Sequence, residues 1–412
     1  MGGHAHSQRD DDRVEVGARA RMVLLGALLV CAIGTGWGLV HFWPDADEVA
    51  QTLGSVDYAA PGVTFPRAEV VEVLPECDLD GPPPSAEADP PTVADEEACG
   101  EVRARVMEGE SAGDTVRVSV RPGVAGSGLR PGDVIELQRN PAAEGAEPSY
   151  AMFGVDRSST MWVPLGGFVL AVALVARLRG LLALAGLVVG GVVLVEFMLP
   201  ALLLGASGIG VAMVGSAAIM FVVLYLAHGL SIRTSAALAG TLVGIAITAV
   251  IGLVAVRQAR LSGIDEGGTV LSTYVGDVSF QGLLTCALII AGLGVLNDVT
   301  ITQSSAVWEL RAAAPSLSRR RLFTSGMRIG RDHIASTIYT IVFAYAGTAL
   351  SVLLVLFLYR RPPASLLTTD DIATEVITTL ATAIGLVLAV PVTTAIAAAT
   401  VGPARDPDHD QA

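Results

Sequence analysis

Long apolar runs dominate this chain, and they leave it few folds to adopt. Eight segments, near 22–43, 160–176, 180–204, 207–228, 234–256, 280–298, 335–358 and 373–401, carry the composition of bilayer-crossing helices. Such a helix needs about 20 predominantly apolar residues. In hydrocarbon every backbone N–H and C=O must be paired within the protein, so these runs are expected to form helices packed on one another. Hydrophobic residues make up 52% of the chain and charged ones only 16%, which fits no ordinary soluble domain. The expected fold is an all-α polytopic membrane bundle of about eight transmembrane helices. One small extracytoplasmic β domain is inserted after the first.

Charge locates that insertion. Residues 44–160 hold 23 acidic and 8 basic residues, so this one segment accounts for the chain's net charge of −14. No basic surface is left to neutralise phosphates, which excludes nucleic acid as a partner. Every basic residue is Arg, and the arginines set the orientation through the positive-inside rule. Arg9, Arg13, Arg19 and Arg21 precede the first run; Arg177, Arg179, Arg233 and the cluster Arg311, Arg319, Arg320, Arg321, Arg328 and Arg331 fall on the same side. The expected organisation is a cytoplasmic tail (1–21), a transmembrane anchor (22–43), an acidic domain outside (44–160), a multi-helix membrane domain (161–401) and a second cytoplasmic tail (402–412). The expected location is the cell membrane. Residues 22–43 read as a retained anchor: no small-x-small cleavage site follows, and Trp37, His41, Phe42 and Trp43 suit an interfacial aromatic belt.

Within the acidic domain, segments 67–74, 102–107, 115–120, 133–139 and 150–155 show partial alternation, as in TVRVSV, and turn signals such as Arg130-Pro131-Gly132-Asp133 separate them. Five short strands imply a small OB-like barrel or a sandwich. Cys77 and Cys99 bracket an acidic, Pro-rich loop; a disulfide there would stabilise by about 3 kcal/mol on chain-entropy grounds. Two free thiols are the other reading. The domain has no His, no nucleophile elbow and no metal-spaced cluster, so nothing in it points to an enzyme or to a cofactor.

Four places compete for chemistry in the membrane domain. The first lies where the run at 280–298 continues into Asn297, Asp298, Thr300, Thr302, Ser304, Ser305 and Glu309. If the helix continues, its turn of about 100° per residue sets Asp298, Thr302, Ser305 and Glu309 nearly in line. A carboxylate in lipid costs several kcal/mol, so the stripe is expected to face a bundle or a water-filled cavity, where its oxygens suit a proton or hard cation. The bland reading ends the membrane near Leu296 and leaves a cytoplasmic amphipathic helix. The second place is GMRIGRDHIAST, where Asp332 is within reach of Arg328 one turn away, or of Glu309 and Asp298 across an interface; Arg331 stands beside it. A topology-setting loop is the alternative. The third is Asp277 at the mouth of the sixth run, with Glu375 opening the last behind Asp370 and Asp371, which suit a helix N-terminus. The fourth is Glu196, a lone acid near Pro200. Small-xxx-small pairs (Gly34/Gly38, Gly186/Gly190, Gly240/Gly244) permit close helix packing, and Pro391 is expected to kink the last helix.

Three stretches resemble the YibE/F family of bacterial multi-pass membrane proteins: YVGDVSFQGLL at 274–284 running into GLGVLNDVTITQSSAVWEL at 292–310, LFTSGMRIGRDHIASTIYTIVFAYAGTAL at 322–350, and IATEVITTLATAIGLVLAVPVTTAIAA at 372–398. The resemblance implies one anchor, an external domain and seven further helices; it supplies candidate residues and no activity. Here Asn297 precedes Asp298 where Met is usual in the family, and Thr300 and Thr302 replace small apolar residues. The expectation is a transporter or channel-like protein using an ion or proton pathway of Asp298, Asn297, Thr302, Ser305, Glu309, Asp277, Arg331, Asp332 and Glu375. The alternative is a membrane scaffold or assembly factor whose external domain binds an envelope partner. The lipid bilayer is the one partner both readings require.

Overall fold

The computed structural model describes residues 14–54, 58–74, 100–120, 124, 127–141, 147–264, 266–276, 278–358, 362, 365 and 368–403. It divides into two compact units, residues 54–171 and the rest of the chain.

The smaller unit is built on five strands: β1 (Arg67–Val73), β2 (Glu101–Val106), β3 (Thr115–Ser119), β4 (Val134–Asn140) and β5 (Ser149–Val155). They pair antiparallel in the order β3-β2-β1-β4-β5, and β3 returns beside β5, so one curled sheet nearly closes into a barrel. That decides between the barrel and the sandwich. Alternation builds the core: Ala68 and Val70, Val102, Ala104 and Val106, and Ile135 and Leu137 all point inward and are almost fully buried. The outer face carries cross-strand ion pairs set by the register: Glu69 is opposite Arg105, and Glu72 is opposite Arg103, at 3.1 and 2.9 Å. The Arg130–Asp133 turn feeds β4. Asp133 N–H donates to Arg130 C=O at 3.0 Å while Gly132 takes φ +94°, the left-handed position that this Pro-Gly turn requires. Cys77 and Cys99 lie outside the described residues.

In the larger unit helix α1 (Ala18–Phe42) is followed by a short α2 (Ala46–Gly54). After the barrel come α3 (Ser158–Val175), with no buried residue and lying mostly in the smaller unit, and then, in the larger unit, α4 (Arg177–Val193), which passes through a π-turn at Leu194–Met198 into α5 (Leu199–Leu203). A turn at Leu204–Ser207 leads to α6 (Gly208–His228), α7 (Ile232–Gln258), the short α8 (Glu266–Tyr274), α9 (Phe280–Ala313), α10 (Arg319–Thr348), α11 (Leu350–Leu358) and α12 (Asp370–Thr400). Among the described residues, seven helices are long and apolar enough to cross a membrane, and eight if the bent pair α10–α11 counts as one.

Antiparallel packing of α7 against α9 and α12 makes the centre. Gly244 meets Leu296 and Ala389, Gly252 meets Leu288, Gly240 meets Thr393, and Gly385 meets Thr248. Glycine lets these backbones come close enough for methyl-to-backbone contact, which substitutes for the hydrophobic effect where the solvent is itself apolar. Two of the three small-residue pairs read from the sequence sit in such contacts: Gly240/Gly244 here, and Gly186/Gly190 against Val223 and Ile219 of α6. In the third, Gly38 meets Val214 whereas Gly34 faces open space.

One span differs from expectation. The apolar run at 335–358 suggested a crossing there, but α10 starts at Arg319, and a bend of 65° at Ala349 separates it from α11. Arg319 donates to Val401 C=O at 3.2 Å, while Thr348 and Ala349 share a cavity with Asp370 and Glu375 at the start of α12. Since α12 runs from Asp370 to Thr400, α10 traverses the full depth of the unit by itself. Its buried positions form one stripe through Leu322, Gly326, Gly330, Thr337 and Ile341, while Ile329, Val342 and Phe343 are exposed. The last helix, α12, is continuous through Pro391.

Candidate functional site

At 1.5 Å per residue α9 is about 51 Å long, well beyond the roughly 30 Å of a hydrocarbon core. Its polar half therefore needs placing by depth. Leu296 packs on Gly244, and the Thr300 hydroxyl lies 2.6 Å from that of Thr241, so Asp298 is level with Leu242 and Val243. That is within about 5 Å of the midpoint of α7. Asp298 belongs to the middle of the bundle, not to its edge.

Asp298, Thr302, Ser305 and Glu309 do form one stripe, and it lies on the outside of the helical unit. Asp298, Thr302 and Glu309 are exposed and Ser305 is half-buried. Thr302 closes back on its own helix, donating to Asp298 C=O at 2.7 Å. The opposite face of α9 carries the buried polar contacts. Gln303 donates to Gly326 C=O at 2.8 Å and to the Thr394 hydroxyl at 2.7 Å, which ties α9 to α10 and α12. Ser304 donates to Arg233 C=O at 2.8 Å. Gln303 was not singled out in the sequence; the paired glycines Gly326 and Gly330, which give its side chain room, are the signal that points to it.

Across from Asp298, α10 brings His333. The imidazole Nε2 stands 3.6 Å from the Asp298 carboxylate, too far for a hydrogen bond and close enough for an ion pair when the ring is protonated. The Asp298 side chain is 66% exposed and that of His333 28%. His333 Nε2 and the neighbouring Asn297 Oδ1 are buried atoms without hydrogen-bond partners. A half-shielded imidazole beside an accessible carboxylate is a pair that can exchange a proton or share a cation. Sequence reasoning had matched Asp298 with Asp332. One residue further along, the 100° turn carries Asp332 outward and His333 to the interface. Asp332, Arg331 and Arg328 are all exposed, and among the described residues none of them makes a salt bridge. Arg311 has a different role: it is buried and donates to Pro315 C=O and Leu317 C=O at 2.7 and 2.8 Å, closing the turn between α9 and α10.

The remaining residues do not join this pair. Glu375 lines the cavity of about 470 Å³ at the α10–α11 bend with Asp370, Asp371 and Thr348. Asp277 lies outside the described residues. Glu196 is exposed on the π-turn. No group of three or more His, Cys, Asp or Glu side chains able to hold a metal occurs among the described residues.

The barrel holds a separate hollow of about 490 Å³, lined by Phe65, Glu108, Glu110, Arg139 and Tyr150 among others. Arg139 pairs with Glu110 at 2.9 Å, while its Nε and the Tyr150 hydroxyl are buried without partners. Hydrogen bonds from the Arg67 side chain and backbone hold the Glu108 carboxyl below its usual range.

No curated protein and no solved structure matches the chain. The profile of the YibE/F-like protein family matches residues 165–403, a stretch containing both helices of the Asp298–His333 pair and every helix from α4 to α12. The match covers more than half of the sequence and keeps the order of motifs read from it, so this chain belongs to the YibE/F-like family.

Proposed function

We propose that the protein is a multi-pass transporter or channel of the cell membrane that moves protons or a small cation past Asp298 and His333. The observation that carries this reading is the depth of the pair. A carboxylate and an imidazole facing each other at mid-bundle are costly in a lipid environment and are retained there chiefly by proteins that move charge. The polar run of α9 extends from that level toward one end of the unit, as a pathway requires. The arginines at that end, with the positive-inside rule, support a cytoplasmic location for both termini and an outer location for the barrel.

Reconstituted vesicles test it. With proton and cation gradients imposed, wild-type protein is expected to collapse the proton gradient or take up the cation. Asp298→Asn is expected to fall to the rate of empty vesicles, and His333→Gln to do so or to shift the pH dependence. Asp298 is exposed, so the amide should leave folding unaffected. Absence of wild-type flux across a panel of ions would end the transport reading. The hollow of the barrel, with its unpartnered Tyr150 hydroxyl and Arg139 Nε, favours one alternative, in which the outer domain docks an envelope partner or small ligand. Tyr150→Phe would then weaken that binding and leave ion flux unchanged.

A further inference from the structure

The outer face of α9 and α10 poses a physical problem. Helix α10 runs the full depth of the unit, yet outside its narrow buried stripe it exposes Arg328, Arg331, Asp332, Ser336, Tyr339 and Thr340, interleaved with the apolar Ile329, Val342 and Phe343. Asp298 and Thr302 of α9 continue this polar surface at mid-bundle. In a bilayer the face would turn ionisable and hydroxyl groups toward hydrocarbon, at a cost of several kcal/mol for each charge. Inside the unit the contrast is plain. The interior of α7, α9 and α12 is lined mainly by glycine, threonine and aliphatic side chains, so this polar helical surface is one that no described residue covers.

We infer that a second copy of this chain covers it, forming a symmetric dimer through the α9–α10 faces. Charge favours this occupant. At the level of the Asp298–His333 contact the face carries Asp298 and Asp332 against Arg331 and His333, so both signs are presented at one depth. A two-fold axis along the bundle brings the same patch to itself, and Asp298 and Asp332 of one copy then lie at the level of Arg331 and His333 of the other. A partner of a single charge sign, or an apolar one, would leave half of these groups unpaired. The hydroxyls of Ser336, Tyr339 and Thr340 suit the short interhelical hydrogen bonds through which membrane helices associate. The bend at Ala349 fits as well. It leaves α11, which has no buried residue, at the end of this face. The dimer follows from the exposure of this surface and holds whether or not Asp298 and His333 carry protons.

Cysteine cross-linking of the full-length protein in its native membrane tests the interface. The four native cysteines are first replaced by alanine. Ser336→Cys and Thr302→Cys then report on the proposed face, and Val188→Cys, exposed on α4, serves as the control. All three sites are exposed, so misfolding is not the expected cause of a negative result; thermal unfolding in detergent checks it. Oxidation is expected to shift the Ser336→Cys and Thr302→Cys chains from 42.4 kDa to twice that mass and to leave Val188→Cys at the mass of one chain. The mass of the cysteine-free protein in lipid nanodiscs should be that of two chains. A single-chain mass in nanodiscs overturns the proposal. So does equal cross-linking from Val188→Cys, which would report random collision, and so does the absence of cross-linking at both Ser336→Cys and Thr302→Cys, which would place any dimer on another face.

Discussion

Glu108 accepts from the Arg67 backbone N–H at 3.0 Å and from its guanidinium at 3.2 Å, and these bonds hold the carboxyl below its ordinary 4.5. A carboxyl lowered in the folded state contributes stability that is fully present above pH 4.5 and is lost as pH falls through the lower folded value. In a carboxyl NMR titration, Glu108 is therefore expected to titrate below 4.5, and Arg67→Gln should move the midpoint back up. The barrel of that variant should show less additional destabilisation on acidification than the wild type, because the group linked to pH has been uncoupled. An unmoved midpoint would show that the pair seen here does not govern the carboxyl. At this same scale the candidate site was half legible in the sequence. Asp298 stands out because an acid ending an apolar run is expensive wherever it sits. His333 does not stand out, because its importance comes from the helix that crosses α9 at that level, and a neighbour in space leaves no trace in spacing along the chain. The turn that carries Asp332 outward and His333 inward is fixed only by the packing of Gly326 and Gly330 around Gln303.

The helices show why residue-level reading fails in particular places. Hydropathy averages all faces of a helix, so it finds α7 and α12, each with a long apolar core, and blurs α10, whose buried part is one stripe. The run at 335–358 covers only part of the bent pair α10–α11, and the bend at Ala349 was invisible because neither Pro nor a glycine pair marks it. The glycine contacts were legible as spacings and illegible as partners: only the structure says that Gly385 lies against the Thr248 hydroxyl. A methyl group there would collide with that hydroxyl and come within 3.4 Å of the Thr248 Cα. Gly385→Ala is expected to destabilise the protein by about 1–3 kcal/mol through overpacking. Gly294→Ala, on the open face of α9 with no atom within 4 Å of the new carbon, should be neutral or stabilising by up to about 1 kcal/mol from helix propensity. Thermal unfolding in detergent compares the two. Equal effects would mean that α7 and α12 do not pack as closely as described.

Over the whole molecule, the number of crossings and the position of the ends must agree. Gly17 N–H donates to Thr400 C=O at 3.2 Å, Val16 bridges to Val401, and Arg319 reaches Val401 C=O. The start of α1, the start of α10 and the end of α12 thus meet at one end of the helical unit. Seven crossings would put the two termini at opposite ends. On the proposed topology an even number is needed, and the bent pair α10–α11, counted as one span, supplies the eighth. The same end collects Arg233, Arg311 and the arginines at 319–321, which the positive-inside rule assigns to the cytoplasm. On the proposed topology the barrel, inserted after one crossing, lies outside. A reporter that is active only in the cytoplasm is therefore expected to signal from either terminus and from the turn between α9 and α10. It should be silent when inserted at the exposed Gly109–Ser111 turn of the barrel and in the segment between α7 and α9. Activity at Gly109–Ser111, or opposite results from the two termini, would break the eight-crossing arrangement. It would also remove the reason for placing Asp298 at mid-bilayer, so this measurement decides whether the depth argument for the Asp298–His333 pair can stand.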